Sequence, residues 1–160
     1  MIYTGACPGS KFEDMRWYED DPDYCPEIAD EVVSFFEDHL VHTKGRWKGQ
    51  PFNLFDWQEH RVIRPLFGIL REPPSEQYPL GLRRYTRAYI EIPKKNGKTE
   101  LVAGIGIKLF MADKEPTAEV YANACDREQA SILHDVSAMM IRDNPELMKR
   151  CKIIDSRKRV

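Results

Sequence analysis

Tyr89-Ile90-Glu91-Ile92-Pro93-Lys94-Lys95-Asn96-Gly97-Lys98-Thr99, continued by Glu100-Leu101-Val102-Ala103, is the stretch that decides the fold. Tyr89 to Ile92 is a short β-rich run. Pro93 to Gly97 cannot easily continue either a strand or a helix, and Lys98 opens an apolar helical segment that runs to Ala112. Strand, glycine-containing turn and a Gly-Lys-Thr helix start form the context in which a phosphate-loop (Walker A) match acquires a mechanism. Backbone N–H groups at the helix start cradle phosphate oxygens, and the helix dipole favours their charge. In this reading Lys98 reaches the β and γ phosphates and Thr99 holds magnesium through its hydroxyl. The full loop pattern wants a glycine five positions before Gly97, where the chain has Ile92. Gly-Lys-Ser/Thr alone occurs by chance in about one chain in ten of this length, so the flanking strand and helix carry the argument. Without them, Lys98 reads as a solvated residue at a helix start.

Working outward, the 160 residues fit one domain able to bury a core, and 42% hydrophobic with 31% charged residues excludes a disordered default. Cys7, Cys25, Cys125 and Cys151 show no Cys-x-x-Cys spacing and read as reduced thiols of a cytosolic chain. Met1 to Gly9 lacks the basic start of a signal peptide. Leu101 to Ala112, the longest apolar run, is interrupted by Lys108 and too short to span a bilayer, so no membrane role is expected. The net charge of -2 hides an asymmetry. Residues 1–38 hold eleven Asp or Glu against Lys11 and Arg16, which leaves 22 basic and 15 acidic residues in the remainder, an excess of +7. A basic body with an acidic arm is compatible with polyanion partners, and equally with an unevenly charged solvated surface.

Residues 1–25 combine Gly5, Pro8, Gly9, Pro22 and the acidic run Glu19-Asp20-Asp21, which predicts a mostly extended acidic arm. Ile28, Ala29, Val32, Val33, Phe36 and Leu40 then lie on one helical face, predicting a helix from about Pro26 to His42. His39 and His42 lack further ligands at metal spacing, so a cationic role at the helix end is the expectation. A second helical pattern begins at Trp57 with Asp56 as N-cap. Trp57 beside Gln58 suits an adenine, because the ring can stack while the amide donates and accepts on the base edge. Taken alone, Trp57 reads as a core or interface residue. The segment Glu72 to Gly81 reads as a linker, and Arg83, Arg84 and Arg87 beyond it are candidate contacts for nucleic-acid phosphates or a solvated loop. The helix after Thr99 is apolar nearly all round, so it is expected to be sandwiched, with Gly104 and Gly106 allowing close approach to a sheet. Ala118 to Ala122 is predicted as a second buried strand, followed by a helix capped by Asp126 with Gln129. Asn144-Pro145 stops that helix and starts another. This βαβα order implies parallel strands with right-handed crossovers, but two strong strands make only part of a sheet.

Trp57-Gln58, then Tyr89 to Thr99, then Ala118-Glu-Val-Tyr-Ala-Asn-Ala-Cys-Asp-Arg-Glu-Gln-Ala130 resemble, over about Ile28 to Cys151, the start of the large terminase subunit of tailed phages. The resemblance implies an α/β, three-layer P-loop NTPase fold, a parallel sheet flanked by helices, incomplete in this chain. It divides the chain into the acidic arm (1–25), a helical N-terminal region with the adenine-sensing pair (26–85) and the first half of the ATPase core (86–160). It implies ATP and magnesium as cofactors, with Trp57 and Gln58 at the adenine and Lys95, Asn96, Gly97, Lys98 and Thr99 at the phosphates. Lys94 stands where the family commonly places an arginine that stabilises the transferring phosphate. A lysine there is a point charge rather than a planar fork. The family also tolerates a residue other than glycine at the position of Ile92.

Implied partners are double-stranded phage DNA, the terminase small subunit and the portal, in the host cytoplasm and transiently at the portal vertex of the procapsid. The family's apolar run ending in Asp-Glu and its nuclease domain have no counterpart in the sequence, so the chain is expected to hydrolyse ATP poorly by itself. Two other readings stay open. One is a nucleotide-binding or interaction module that needs a partner chain to complete its sheet; the other is a helicase-like P-loop ATPase fragment.

Overall fold

The computed structural model describes residues 2–3, 12–113, 117–155 and 160. The chain forms two units, Met1–Ser34 with Leu54–Asn96 and Phe35–Asn53 with Gly97–Val160, and it passes from the first to the second between Asn96 and Gly97.

In the first unit, β1 (Ile2–Tyr3) pairs in parallel with β4 (Ala88–Tyr89), Ile2 opposite Ala88 and Tyr3 opposite Tyr89. β2 (Leu70–Glu72) and β3 (Leu82–Arg83) form an antiparallel hairpin. Gly81 closes its loop at φ 68°, where an added Cβ would lie 2.7 Å from the Glu72 carbonyl oxygen. The expected linker from Glu72 to Gly81 is thus the loop of a hairpin, and its flanking residues are paired.

The extended arm expected over residues 1–25 does not describe residues 12–25. Phe12–Asp20 is a 3-10 helix with a kink at Arg16, and Met15 and Tyr18 are buried. The reason is aromatic: Tyr18 packs edge-on against Tyr24 at 4.8 Å between ring centres, and its hydroxyl meets His60 Nδ1 at 2.5 Å. Burial, with Tyr24 beside it, raises the Tyr18 pKa far above its ordinary value, so this phenol stays neutral. The acidic residues nearby are paired as well. Asp21 and Asp23 both accept from the Arg84 guanidinium, the former at 2.7 Å. Asp30 accepts from Arg64 at 2.7 Å, and Glu59 accepts from the same side chain at 2.6 Å. Three of the eleven acidic residues in 1–38, Asp21, Asp23 and Asp30, therefore neutralise arginines of their own unit. Arg84, considered above for nucleic-acid phosphates, is one of them.

The helix that begins near Trp57 has Phe55, not Asp56, as its N-cap, and it is not regular. α2 (Asp56–Gln58) runs through a π-turn (Glu59–Ile63) into α3 (Arg64–Gly68). The five-residue step from Trp57 to Val62 suits that wider turn. Gly68 lies where a Cβ would sit 2.5 Å from the Tyr24 ring, and its carbonyl accepts from Cys25 N at 2.8 Å.

α1 (Pro26–His39) starts as the sequence predicts, with proline at its first turn and Glu27 at its positive end. It stops three residues earlier than expected, and its part from Phe35 onward belongs to the second unit. There α4 (Lys98–Met111), α5 (Arg127–Asp143) and α6 (Pro145–Arg150) complete the helical set. Asp126 caps α5 as predicted, accepting from Gln129 N at 2.8 Å. Asn144 caps α6 by accepting from Glu146 N and Leu147 N, and its amide donates to the carbonyl of His39 at 2.8 Å.

One stripe of α4 lies against the end of α1 and the segment after it. An added Cβ at Gly104 would sit 2.4 Å from Phe36 Cε1 and 3.0 Å from Leu40 Cδ1, so only glycine permits this approach. One turn before, Glu100 meets Thr43 and His42; one turn after, Lys108 lies over the Phe35 ring at 6.0 Å. Lys108 is 1% exposed, and its ammonium donates to the carbonyl of Ala112 at 2.9 Å, capping its own helix. The close approach predicted for Gly104 is thus to a helix end rather than to a sheet. Gly106 faces elsewhere, with an added Cβ at an ordinary 3.7 Å from Val120.

The buried strand predicted over Ala118 to Ala122 is absent: these residues belong to no ladder and are mostly exposed, Val120 and Tyr121 included. A short run with Val120 and Tyr121 supplies the tendency for a strand, but a strand persists only with a neighbour to share its hydrogen bonds. Beside this segment α4 and α5 leave an open groove of about 670 Å³, lined by Val102, Gly106, Phe110 and His134 among others. The architecture is α/β, with one two-stranded parallel ladder and one two-stranded antiparallel ladder among the described residues.

Candidate phosphate-binding loop

Pro93 ends the extended run after β4 and the chain turns sharply. Lys95 takes a left-handed conformation at φ 70°, and Gly97 does so again at φ 71° and ψ 10°. For glycine this costs little; for lysine it costs on the order of 1 kcal/mol, strain of the kind that collects at functional sites. Asn96 steadies the turn, its side-chain amide donating to the carbonyls of Pro93 at 3.3 Å and Lys94 at 3.4 Å. Asn96 therefore acts on its own loop through its side chain.

Gly97 is the N-cap of α4, and no side chain caps it. The first intrahelical bond runs from Leu101 N to Gly97 O at 3.0 Å, so the amides before it have no partner within the helix. Lys94, Lys95, Lys98 and Thr99 are all exposed around this start. Uncapped amides, the positive end of a 14-residue helix and three lysines within five residues make a place for a multiply charged anion. No group of three His, Cys, Asp or Glu able to hold a metal exists among the described residues. A magnesium ion would need oxygens brought by the anion itself, since magnesium prefers oxygen ligands in an octahedron.

Trp57 and Gln58 belong to the first unit, on α2. Trp57 is half-buried. Gln58 is 1% exposed, and its Oε1 accepts from Phe55 N at 3.0 Å, so the side chain caps the start of its own helix. The sequence marked Gln58 for its hydrogen-bonding capacity; the structure uses one lone pair of that oxygen internally.

Sequence reasoning missed Glu100. Its carboxylate accepts from Thr43 N at 2.7 Å, Thr43 Oγ1 at 2.6 Å and His42 Nδ1 at 2.9 Å. Burial works against its charged form, but the bonds from the Thr43 hydroxyl, His42 and the Thr43 amide outweigh it and hold the carboxyl below its ordinary range. His42, expected to serve as a cation at the end of α1, lies beyond that helix and is spent on this carboxylate, its ring edge-on to Phe52 at 4.5 Å. The available signal was the position of Glu100 in the first turn of a helix; its partners, 57 and 58 residues away, left none.

Comparison with known proteins identifies the family. A family model described as "Terminase large subunit, ATPase domain" matches residues 76–160. The large terminase subunit of Enterobacteria phage HK97 is 26% identical over 133 residues, which make up 82% of this chain and 24% of that protein. The crystal structure of the HK97 bacteriophage large terminase is similar with a TM-score of 0.61 and 27% identity, over 79% of this chain and 23% of that one. The chain thus spans about a quarter of the length of these relatives. With more than half of its residues matched by the family's ATPase domain, the chain belongs to the terminase large subunits.

Proposed function

We propose that this chain is the ATP-binding front of a phage DNA-packaging motor, and that the loop from Lys94 to Thr99 takes the triphosphate. The single observation that carries the reading is the uncapped start of α4 behind two left-handed residues, Lys95 and Gly97. Left-handed residues are what backbone anion nests use to turn successive N–H groups to one side. In this reading Lys98 contacts the β and γ phosphates, Thr99 contributes to the magnesium shell and Lys94 offsets charge on the γ phosphate. Magnesium, when bound, would supply neutralisation of the triphosphate charge, with the Thr99 hydroxyl as the chain's own contribution to holding it. The adenine is assigned to Trp57, by stacking, and to Gln58, whose amide oxygen keeps a second lone pair beside the bond to Phe55.

Membership of the family supports the wider role. In the whole protein, hydrolysis would be coupled to movement of double-stranded DNA into the procapsid, with the small subunit and portal as partners in the host cytoplasm. No helix among the described residues is long and apolar enough to cross a membrane. The three-layer P-loop sheet belongs to the same proposal: further parallel strands would add beside residues 118–122, where the groove between α4 and α5 stands open.

The test is a titration of a fluorescent ATP analogue with magnesium. Lys98→Ala should weaken binding by on the order of tenfold or more, as loss of a charge-assisted contact predicts. Trp57→Ala should weaken analogues that carry the base and leave tripolyphosphate unaffected. Equal binding by all three proteins would remove both assignments.

A further inference from the structure

Glu100 sits at the third position of α4, counted from its N-cap Gly97. A glutamate there can reach back to the N-cap amide, the half of a capping box that needs no side chain on the N-cap residue. That self-contact would consume one of the N–H groups on which a phosphate depends, and it would bring a full negative charge to the same end of the helix. In the structure the carboxylate does something else. Three donors, the amide and hydroxyl of Thr43 and the imidazole of His42, take it at 2.7, 2.6 and 2.9 Å, and Gly97 has no side-chain cap.

The segment that supplies those donors is itself fixed. Val41 bridges Pro51, His42 N donates to Gln50 O at 3.0 Å, and Phe52 N donates to Leu40 O at 2.9 Å. Thr43 is 3% exposed, so its hydroxyl and amide have little recourse to water if the carboxylate leaves. The imidazole bond does not depend on charge, because Nδ1–H donates in one neutral tautomer and in the protonated ring alike.

We propose that His42 and Thr43 hold the Glu100 carboxylate away from the amides at the start of α4 and so keep those amides open to phosphate. His42 and Thr43 are positioning residues, acting through Glu100 and not on the nucleotide. The inference rests on the assignment of the triphosphate to this loop.

It makes a prediction that a merely structural clamp does not: removing the donors should harm nucleotide binding, and removing the carboxylate as well should repair it. The experiment titrates MgATP into the full chain. The paired variant His42→Phe with Thr43→Val leaves the carboxylate one donor of three, and its affinity should fall by on the order of tenfold as Glu100 turns to cap Gly97. Adding Glu100→Ala should return the affinity to within about twofold of wild type, although the protein has then lost a third side chain. Amide hydrogen exchange at Gly97 should slow in the paired variant and recover in the triple one.

Should the paired variant fail to fold, Thr43→Val with and without Glu100→Ala gives the same comparison at smaller amplitude. A triple variant as weak as the paired one, or a paired variant that binds like wild type, overturns the inference while leaving the phosphate assignment intact. Lys98→Ala binding MgATP like wild type overturns the phosphate assignment, and this inference with it.

Discussion

α4 presents two unlike faces. Along Glu100, Gly104 and Lys108 it is held at every turn: a carboxylate with three donors, a glycine with Phe36 inside the radius of a methyl group, and a buried lysine over Phe35. Along Val102, Gly106 and Phe110 it borders a groove, and a Cβ at Gly106 would meet only Val120 at ordinary distance. Polarity alone would rank them the other way, since the held stripe carries Glu100 and Lys108 and the open one Val102 and Phe110. What distinguishes them is whether the neighbour is already ordered: the end of α1, although distant in sequence, is, whereas residues 118–122, close in sequence, have no ladder to order them. Two glycines two positions apart can therefore serve opposite ends, one a tight contact and one a position with room.

The strongest way to break this contrast is a methyl group at each glycine. Gly104→Ala puts a carbon 2.4 Å from Phe36 Cε1 and should cost roughly 3 kcal/mol through overpacking. Urea unfolding followed by circular dichroism would measure it, and a loss below about 0.5 kcal/mol would mean the two faces are equally loose.

Next in size is the charge at Glu100. Its folded pKa lies below its ordinary value of 4.5, so its contribution is present above that value and is lost as pH falls through the folded pKa. Denaturation midpoints should drop below about pH 4.5 in wild type and drop less in Glu100→Ala, which should itself cost about 2 kcal/mol at neutral pH by stranding Thr43.

On the groove side the effects should reverse sign. His134 Nε2 is buried with no hydrogen-bond partner among the described residues, and His134→Phe should raise stability by about 1 kcal/mol. Smallest is Gly106→Ala, expected to add about 0.5 to 1 kcal/mol from helix propensity alone. A loss in either variant would show the groove to be filled as tightly as the opposite face.

Much of the fold was legible where the determinants are local. Pro26 and Glu27 announce α1, Asp126 with Gln129 announces α5, and Asn144-Pro145 announces α6, because each cap is settled within four residues. The turn into α4 was legible for the same reason, since Pro93 to Gly97 suits neither strand nor helix, but the left-handed Lys95 and Gly97 within it were not read from the sequence. Long-range choices were not. Glu100 offers its carboxylate equally to its own helix or to a distant donor, and only the placement of Thr43 decides between them. Gln58 reads as a base contact from its chemistry, yet its oxygen also satisfies the N–H of Phe55 three residues before. Tyr18 and Asp21 read as parts of an arm because nothing nearby in sequence names His60 or Arg84 as partners. The strand at Ala118 to Ala122 was read from a short apolar, β-favouring run that has no ladder partner among the described residues.

The side chain of Asn144 separates two moments in the life of the chain. Its oxygen can cap α6 as soon as residues 144–147 exist, a closure of three residues that needs nothing else. Its NH₂ group waits on His39, a carbonyl 105 residues upstream that was synthesised long before. During translation the His39 carbonyl therefore lacks this partner until α5 has been made, and this one amide marks the step at which a locally formed corner becomes tertiary structure.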